Sequence, residues 1–208
     1  MPPDFENQSY WHDRFTKEAS FEWLIPSETF LSFIEPYLDN RADEQRRRPQ
    51  RILHLGSGTS DLHARLRERG HADVTNVDYE PLALARGRDA EARRFGDVRT
   101  RYAVADVTRL RADLPSPSAF DLVVDKGTAD AVSCGGDGPV LAMARGVRDC
   151  LAPGGLWVSL SYSADRFALP GLPFDVQVIH KVLTPKARPS EPDVYYWCYL
   201  LRPPETSG

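Results

Sequence analysis

The stretch "RILHLGSGTSDLHARLRERG", Arg51 to Gly70, constrains this chain more than any other. A short apolar strand, "RILHL", runs into Gly56 and Gly58, and a helix follows after Ser60 and ends at Gly70. Two glycines one residue apart let the backbone turn sharply and lie against a ligand without a Cβ in the way. Strand, glycine turn and helix together form a nucleotide pocket, so the question is which nucleotide it holds.

The same rhythm continues along the chain. "DVTNVDY" reads as a second strand and "PLALARGRDAEARRF" as a second helix, entered through Pro81. "TRYAVADV" is the third strand, "FDLVVD" the fourth, and a helix covers roughly Val140 to Leu151. In the turn "APGG", Pro153 and Gly154 suit the central positions of a type II turn, and "LWVSLSY" is the fifth strand. Such alternation implies a parallel sheet covered on both faces by helices. The tail breaks the pattern. "FDVQVIHKVLT" and "VYYWCYLLR" are separated only by "PKARPSEPD", and two strands joined by a loop pair antiparallel.

Ahead of this core, "YWHDRFTKEASFEWL" carries Tyr10, Trp11, Phe15, Phe21 and Trp23. "PSETFLSFIEPYL" then places Phe30, Leu31, Ile34, Tyr37 and Leu38 at helical spacing, with Ser27 as the expected N-cap. "DNRADEQRRRPQ" is a polar break, and its Arg46, Arg47 and Arg48 read as a solvated loop rather than a targeting patch.

Composition excludes several classes of function. At 208 residues the chain is expected to be a single domain, 1–208, with an N-terminal helical lid at 1–38 and a core at 51–202. A net charge of −4 argues against a nucleic-acid partner, because phosphate binding calls for a basic excess. No apolar run is long enough to span a bilayer, and the start has neither a basic nor an apolar leader region. Cys134, Cys150 and Cys198 are odd in number and widely spaced, which favours reduced thiols in the cytoplasm. No Cys or His has a partner at metal-ligand spacing, so no metal is expected. The expected state is a monomer.

The glycine turn departs from the dinucleotide pattern. G-x-G-x-x-G requires a third glycine where this chain has Asp61, and that glycine lets helix and strand pack closely beside a pyrophosphate. Asp78 closes the second strand about 20 residues past the turn, where an acidic side chain accepts both hydroxyls of a ribose. The ligand is then a ribonucleoside without a pyrophosphate, and S-adenosyl-L-methionine fits that description. An ordinary tight turn, with Asp78 capping the next helix, is the plainer alternative.

"ILHLGSGTSDL", "NVDYEPLAL", "VADVTRL", "FDLVVDKGTADA" and "CLAPGGLWVSLS" occur in the order and spacing of class I S-adenosylmethionine-dependent methyltransferases. The chain resembles that family from about Tyr10 to Arg202. The "YW-x-x-RF" and "FEW" entry and the "DKGT-x-DA" segment make it similar to the branch that methylates lysines of translation elongation factor 1A. The resemblance implies an α/β, doubly wound, mostly parallel seven-stranded Rossmann-like sheet with a C-terminal antiparallel hairpin and an N-terminal helical lid. It implies that Gly56 and Gly58 lie beneath the methionine and ribose, that Asp78 holds the ribose hydroxyls, and that Tyr79 flanks the adenine. Asp106 and Val107 would address the adenine edge and face. Asp125 and Lys126 would line the methionine end, Lys126 through its backbone. Trp11, Phe15 and Trp23 would close as an aromatic lid, with Arg14 near the cofactor carboxylate. His54 stands where many members carry an acid in the first strand, and Ser60 is placed to cap the helix.

Chemistry narrows the acceptor. The sulfonium methyl is already activated, so alignment and exclusion of water suffice. A lysine acceptor must lose a proton from an amine of pKa about 10.4. Asp125 and Asp130 are the candidate catalytic carboxylates, and Asp130 and Tyr162 the candidate acceptor contacts. A carboxylate there raises the amine pKa, so it would orient the acceptor while water takes the proton. "DKGT" also lacks the Pro-Pro-aromatic clamp of enzymes acting on amides or base amines. The expected partner is a protein substrate such as a translation factor. The alternatives are a small-molecule N- or O-methyltransferase with an acceptor pocket shaped by "SADRFALPGLPF", and a non-catalytic cofactor-binding interaction module. A nicotinamide dehydrogenase is disfavoured by Asp61 and the antiparallel tail.

Overall fold

The computed structural model describes residues 4–38, 48–114, 119–186 and 188–204. Seven strands form one sheet: β1 Ile52–Leu55, β2 Val74–Asp78, β3 Arg101–Val104, β4 Phe120–Lys126, β5 Leu151–Ser161, β6 Asp175–Leu183 and β7 Tyr195–Arg202. Their order is β3-β2-β1-β4-β5-β7-β6. The first five run parallel, and β7 pairs antiparallel with both β5 and β6. The chain steps outward from β1 through β3 and then returns to the other side of β1 as β4. That reversal leaves a crevice at the carboxyl ends of β1 and β4, where ligands bind in open α/β sheets.

The strands are buried on both faces because their residues alternate between two cores. Leu53, Leu55 and Val123 face one cluster, with Trp157, Met143, Ala144 and Val147. Their neighbours Ile52, Leu122 and Val124 face the other, with Phe30, Leu31, Ile34, Leu62 and Leu66. A period of two thus sends every apolar side chain of a central strand into one core or the other.

The helices that supply these faces are α1 Gln8–Lys17, α2 Ser27–Ile34, α3 Leu62–Glu68, α4 Pro81–Phe95, α5 Leu110–Asp113, α6 Thr128–Ser133 and α7 Asp137–Cys150. α4 has the bounds the sequence gives it. Pro81 occupies its first turn, the Glu80 carboxylate accepts from the Leu82 N–H at 3.2 Å, and Gly96 ends it at φ 78°.

Two local expectations change. Ser27 does not cap α2. It is the first helical residue, after Pro26, and its hydroxyl turns to Glu22 at 2.8 Å and Ser60 at 3.0 Å. "APGG" is not a turn before a strand but a bulge within β5. Gly154 does adopt φ 76°, yet pairing with β4 already begins at Phe120↔Leu151 and resumes at Leu122↔Leu156. In the polar break, Arg48 pairs with Asp121 at 2.7 and 2.8 Å, whereas Arg46 and Arg47 lie outside the described residues. Among the described residues, no helix is long and apolar enough to cross a membrane.

Candidate active site

A cavity of about 610 Å³ opens at the carboxyl edge of β1, β2 and β4, within the range of small-molecule sites. Its floor is the turn from Gly56 to Ser60. Gly56 and Gly58 adopt φ 54° and 50°, the left-handed region that glycine enters without strain. A Cβ on Gly56 would overlap the Thr128 side chain, whose hydroxyl donates to the Leu55 carbonyl at 3.0 Å. Gly56→Ala is therefore expected to cost about 2–4 kcal/mol through positive φ and overpacking. That corresponds to a fall in Tm of roughly 5–12 °C, readable by calorimetry. An unchanged Tm would show that α6 can shift away.

Asp78 ends β2 beside this floor. Its buried carboxylate accepts from the Gly58 N–H and the Glu80 N–H, both at 2.9 Å. Burial pushes its pKa up to about 6 against those donors. It therefore ties the turn together as well as facing the cavity. Tyr79, Asp106 and Val107 continue the wall. Asp106 accepts from the Thr108 N–H at 2.8 Å and so fixes the short turn after β3. His54 is buried and also reaches the cavity, its Nδ1 3.1 Å from Asn76 Oδ1. Burial drives its pKa down to about 3, so it is neutral at physiological pH.

The roof comes from the N-terminal segment. Trp11, Phe15 and Trp23 line the cavity, joined by Phe5 and Phe21. Trp11 is the hub, with ring centroids 5.6 Å from Phe15, 5.6 Å from Trp23 and 5.8 Å from Phe5. Its Nε1 donates to the Phe5 carbonyl at 2.7 Å.

Arg14 stands apart from this arrangement. It does not line the cavity but stacks on Phe21 and Trp23, at 4.8 and 4.5 Å, and pairs with Glu18 at 2.7 Å. The i,i+4 spacing to Glu18 on α1 pairs its charge within the helix.

Asp125 is also placed differently from expectation. It is fully buried and absent from the cavity wall, accepting from Trp157 Nε1 at 2.8 Å and the Ala129 N–H at 3.2 Å. Both of its oxygens are thus turned to the first turn of α6 and to Trp157, not to the cavity where a catalytic carboxylate or a methionine-end contact is expected. Burial raises its pKa to about 6.

Asp130 and Tyr162 do meet at the cavity. The Asp130 carboxylate accepts from Arg166 Nε at 2.9 Å, from the Tyr162 N–H at 3.0 Å and from the Ser161 hydroxyl. Tyr162 is half exposed. Lys126 lines the cavity, while its Nζ turns to the N-terminal segment, bonding Glu22 at 2.5 Å and the Trp23 carbonyl at 2.8 Å.

Glu22 and Glu6 are among the residues that escape a reading of the sequence. Glu22 organises the floor and roof, and its only signal is an acid set between Phe21 and Trp23. Glu6 lies on the cavity rim, and nothing in "MPPDFENQSY" marks it.

The family described as "Methyltransferase domain" matches residues 52–155, from β1 into β5. The chain belongs to this methyltransferase family. The methyltransferase is 55% identical to methyltransferase srdJ of Neurospora crassa over 203 residues, 97% of this chain and 85% of that protein. It is 31% identical to EEF1A lysine methyltransferase 4 of Mus musculus over 179 residues, 79% of this chain and 64% of the mouse protein. Among solved structures, it superposes with a TM-score of 0.65 and 22% identity on one described as "Conversion of a Disulfide Bond into a Thioacetal Group during Echinomycin Biosynthesis", covering 91% and 87% of the two chains. TrmN from Thermus thermophilus gives 0.63 and 18%, covering 91% of this chain and 52% of that one. Those structural likenesses establish the Rossmann-like fold with its antiparallel hairpin.

The methyltransferase uses S-adenosylmethionine as methyl donor. Its residues fit that group: a cavity of suitable volume, two side-chain-free positions on the floor, a carboxylate at the end of β2 and an aromatic roof.

Proposed function

We propose that the methyltransferase acts on the side-chain amine of a lysine in a protein partner, for which a translation factor is the leading candidate. S-adenosylmethionine supplies a methyl group already activated on sulfur. In this reading Gly56 and Gly58 lie beneath its methionine and ribose, Asp78 holds the ribose hydroxyls, and Tyr79, Asp106 and Val107 bound the adenine. The roof of Trp11, Phe15 and Trp23 excludes water.

One exposed carboxylate beside an apolar wall carries the choice of acceptor. Glu6 lies at the cavity edge, with Trp11, Val132, Pro139 and Tyr162 among the other lining residues. A carboxylate at the rim attracts an ammonium, and an apolar wall beyond it penalises the charge and lowers the amine pKa. Asp130, matched by Arg166, orients the wall without adding an unpaired negative charge that would oppose deprotonation. The mouse relative's name supports the same acceptor. Segment 163–174 supplies none of the cavity lining, and its Phe167 and Phe174 pack on Trp157 instead. That weighs against an acceptor pocket built from this loop for a small molecule.

Incubation of the protein with cell lysate and methyl-labelled S-adenosylmethionine is expected to give a discrete labelled protein band. The label is then expected to be recovered as methyl-lysine on hydrolysis. Label confined to the small-molecule fraction would overturn the lysine assignment while leaving methyl transfer intact.

A further inference from the structure

The roof and the floor of the cavity meet at one carboxylate, Glu22, which does not itself line the cavity. One oxygen of Glu22 accepts from Lys126 Nζ at 2.5 Å and from the Ser27 hydroxyl at 2.8 Å. The other accepts from the Asp61 N–H at 2.9 Å and from the Ser60 hydroxyl at 3.0 Å. These four donors belong to three separate parts of the chain: the end of β4, the start of α2, and the turn that leads into α3.

Lys126 is saturated in return. Its ammonium, on a side chain only 3% exposed, also reaches the Trp23 carbonyl at 2.8 Å and the Ile25 carbonyl at 3.1 Å. Three donors therefore find three acceptors, all in the segment that carries the roof. Burial alone would raise the Glu22 carboxyl. The Lys126 charge and the hydrogen-bond donors hold it below the ordinary range, so it is ionised.

Lys126 is buried and Glu22 partly so, and an ion pair taken out of water adds little net stability over an apolar replacement of the same shape. What this one supplies is direction, because its donors and acceptors are satisfied together in one register. The residues on either side of Glu22, Phe21 and Trp23, line the cavity, and so do two of its partners, Ser60 and Lys126.

We propose that Glu22 is a positioning residue for the cofactor, holding the aromatic roof in register with the glycine turn. Its effect is transmitted through Trp23 and Ser60, not by contact. Glu22 would do this whatever the methyl acceptor is.

The test is binding of S-adenosylhomocysteine to the full chain, by calorimetry and by tryptophan fluorescence. Trp11 and Trp23 line the cavity, whereas Trp157, fully buried, and Trp197, on β7, lie outside it. Glu22→Gln keeps the shape and removes the charge. At a temperature where circular dichroism shows the variant folded, its affinity is expected to fall about tenfold or more. The fluorescence change on binding is expected to shrink in parallel. Lys126→Met is expected to give a similar loss, and the double variant little more than either alone, because the two residues act as a unit. A folded Glu22→Gln protein with wild-type affinity and an unchanged fluorescence response would overturn the proposal, whatever its Tm. If Glu22→Gln does not fold, Ser27→Ala removes one of the four contacts at a residue outside the cavity wall. A several-fold loss of affinity then supports the proposal, and wild-type affinity overturns it.

Discussion

Replacing Asp78 with alanine is expected to weaken S-adenosylhomocysteine binding by a hundredfold or more. A carboxylate that accepts two ribose hydroxyls makes two charge-assisted hydrogen bonds, each worth roughly 1.5–3 kcal/mol, and every 1.4 kcal/mol is about a factor of ten. The substitution also releases the Gly58 and Glu80 N–H groups that Asp78 now holds, so part of the loss reflects a loosened turn. Calorimetric titration measures the affinity. An affinity within a few-fold of wild type would reduce Asp78 to a brace for the turn.

The same carboxylate gives binding a pH dependence. With its pKa at about 6, Asp78 is ionised at pH 7 and mostly protonated at pH 5. Affinity should drop by about tenfold between those values, since only the ionised form accepts both hydroxyls. For the fold the sign is opposite. A carboxyl raised above its unfolded value of 3.8 favours the folded state fully below that value, and this contribution is lost as pH rises through about 6. Asp125 contributes in the same direction. Comparing wild type with Asp78→Asn across pH 4–7 isolates the part due to Asp78.

Deleting the residues before Ser27 is expected to abolish methyl transfer and to lower cofactor affinity by about a hundredfold. The deletion removes Phe5, Trp11, Phe15, Phe21, Trp23 and Leu24 from the cavity wall together. Losing about 100–150 Å² of apolar cover on a ligand corresponds to roughly 2.5–4 kcal/mol. Lys126 loses its carboxylate and both carbonyl partners at once, and its charge opens to water at the cavity edge. Phe15 and Ile25 also leave the core, so the melting temperature should fall. A folded truncation that binds S-adenosylhomocysteine with wild-type affinity would make the aromatic segment a packing element only.

The alternation of strands and helices, the glycine turn and the antiparallel tail are all legible in the sequence. Each rests on local chemistry: a period of two in strands buried on both faces, a period of 3.6 in α2 and α7, and positive φ at Gly56 and Gly58. The helix α4 is readable to the residue because Pro81 and Gly96 punctuate it. The acid at the end of β2 is likewise fixed by position, since a strand's last residue stands on the ligand edge of such a sheet.

Which charges reach that edge free, and which are already taken, was decided only by packing. Asp125 and Asp130 look alike in "DKGTADA", yet one lies beneath the cavity on Trp157 and the other beside it on Arg166. Those partners come from β5 and from the segment after it, 32 and 36 residues along the chain. Arg14 pairs with Glu18, only four residues along the chain. Lys126 and Glu22 are 104 residues apart, and no local pattern pairs them. A charge in a sequence shows that a partner is needed when it is buried. Only the folded chain chooses the partner, because the desolvation that makes the pairing necessary does not exist until the sheet has brought β4 against the N-terminal segment.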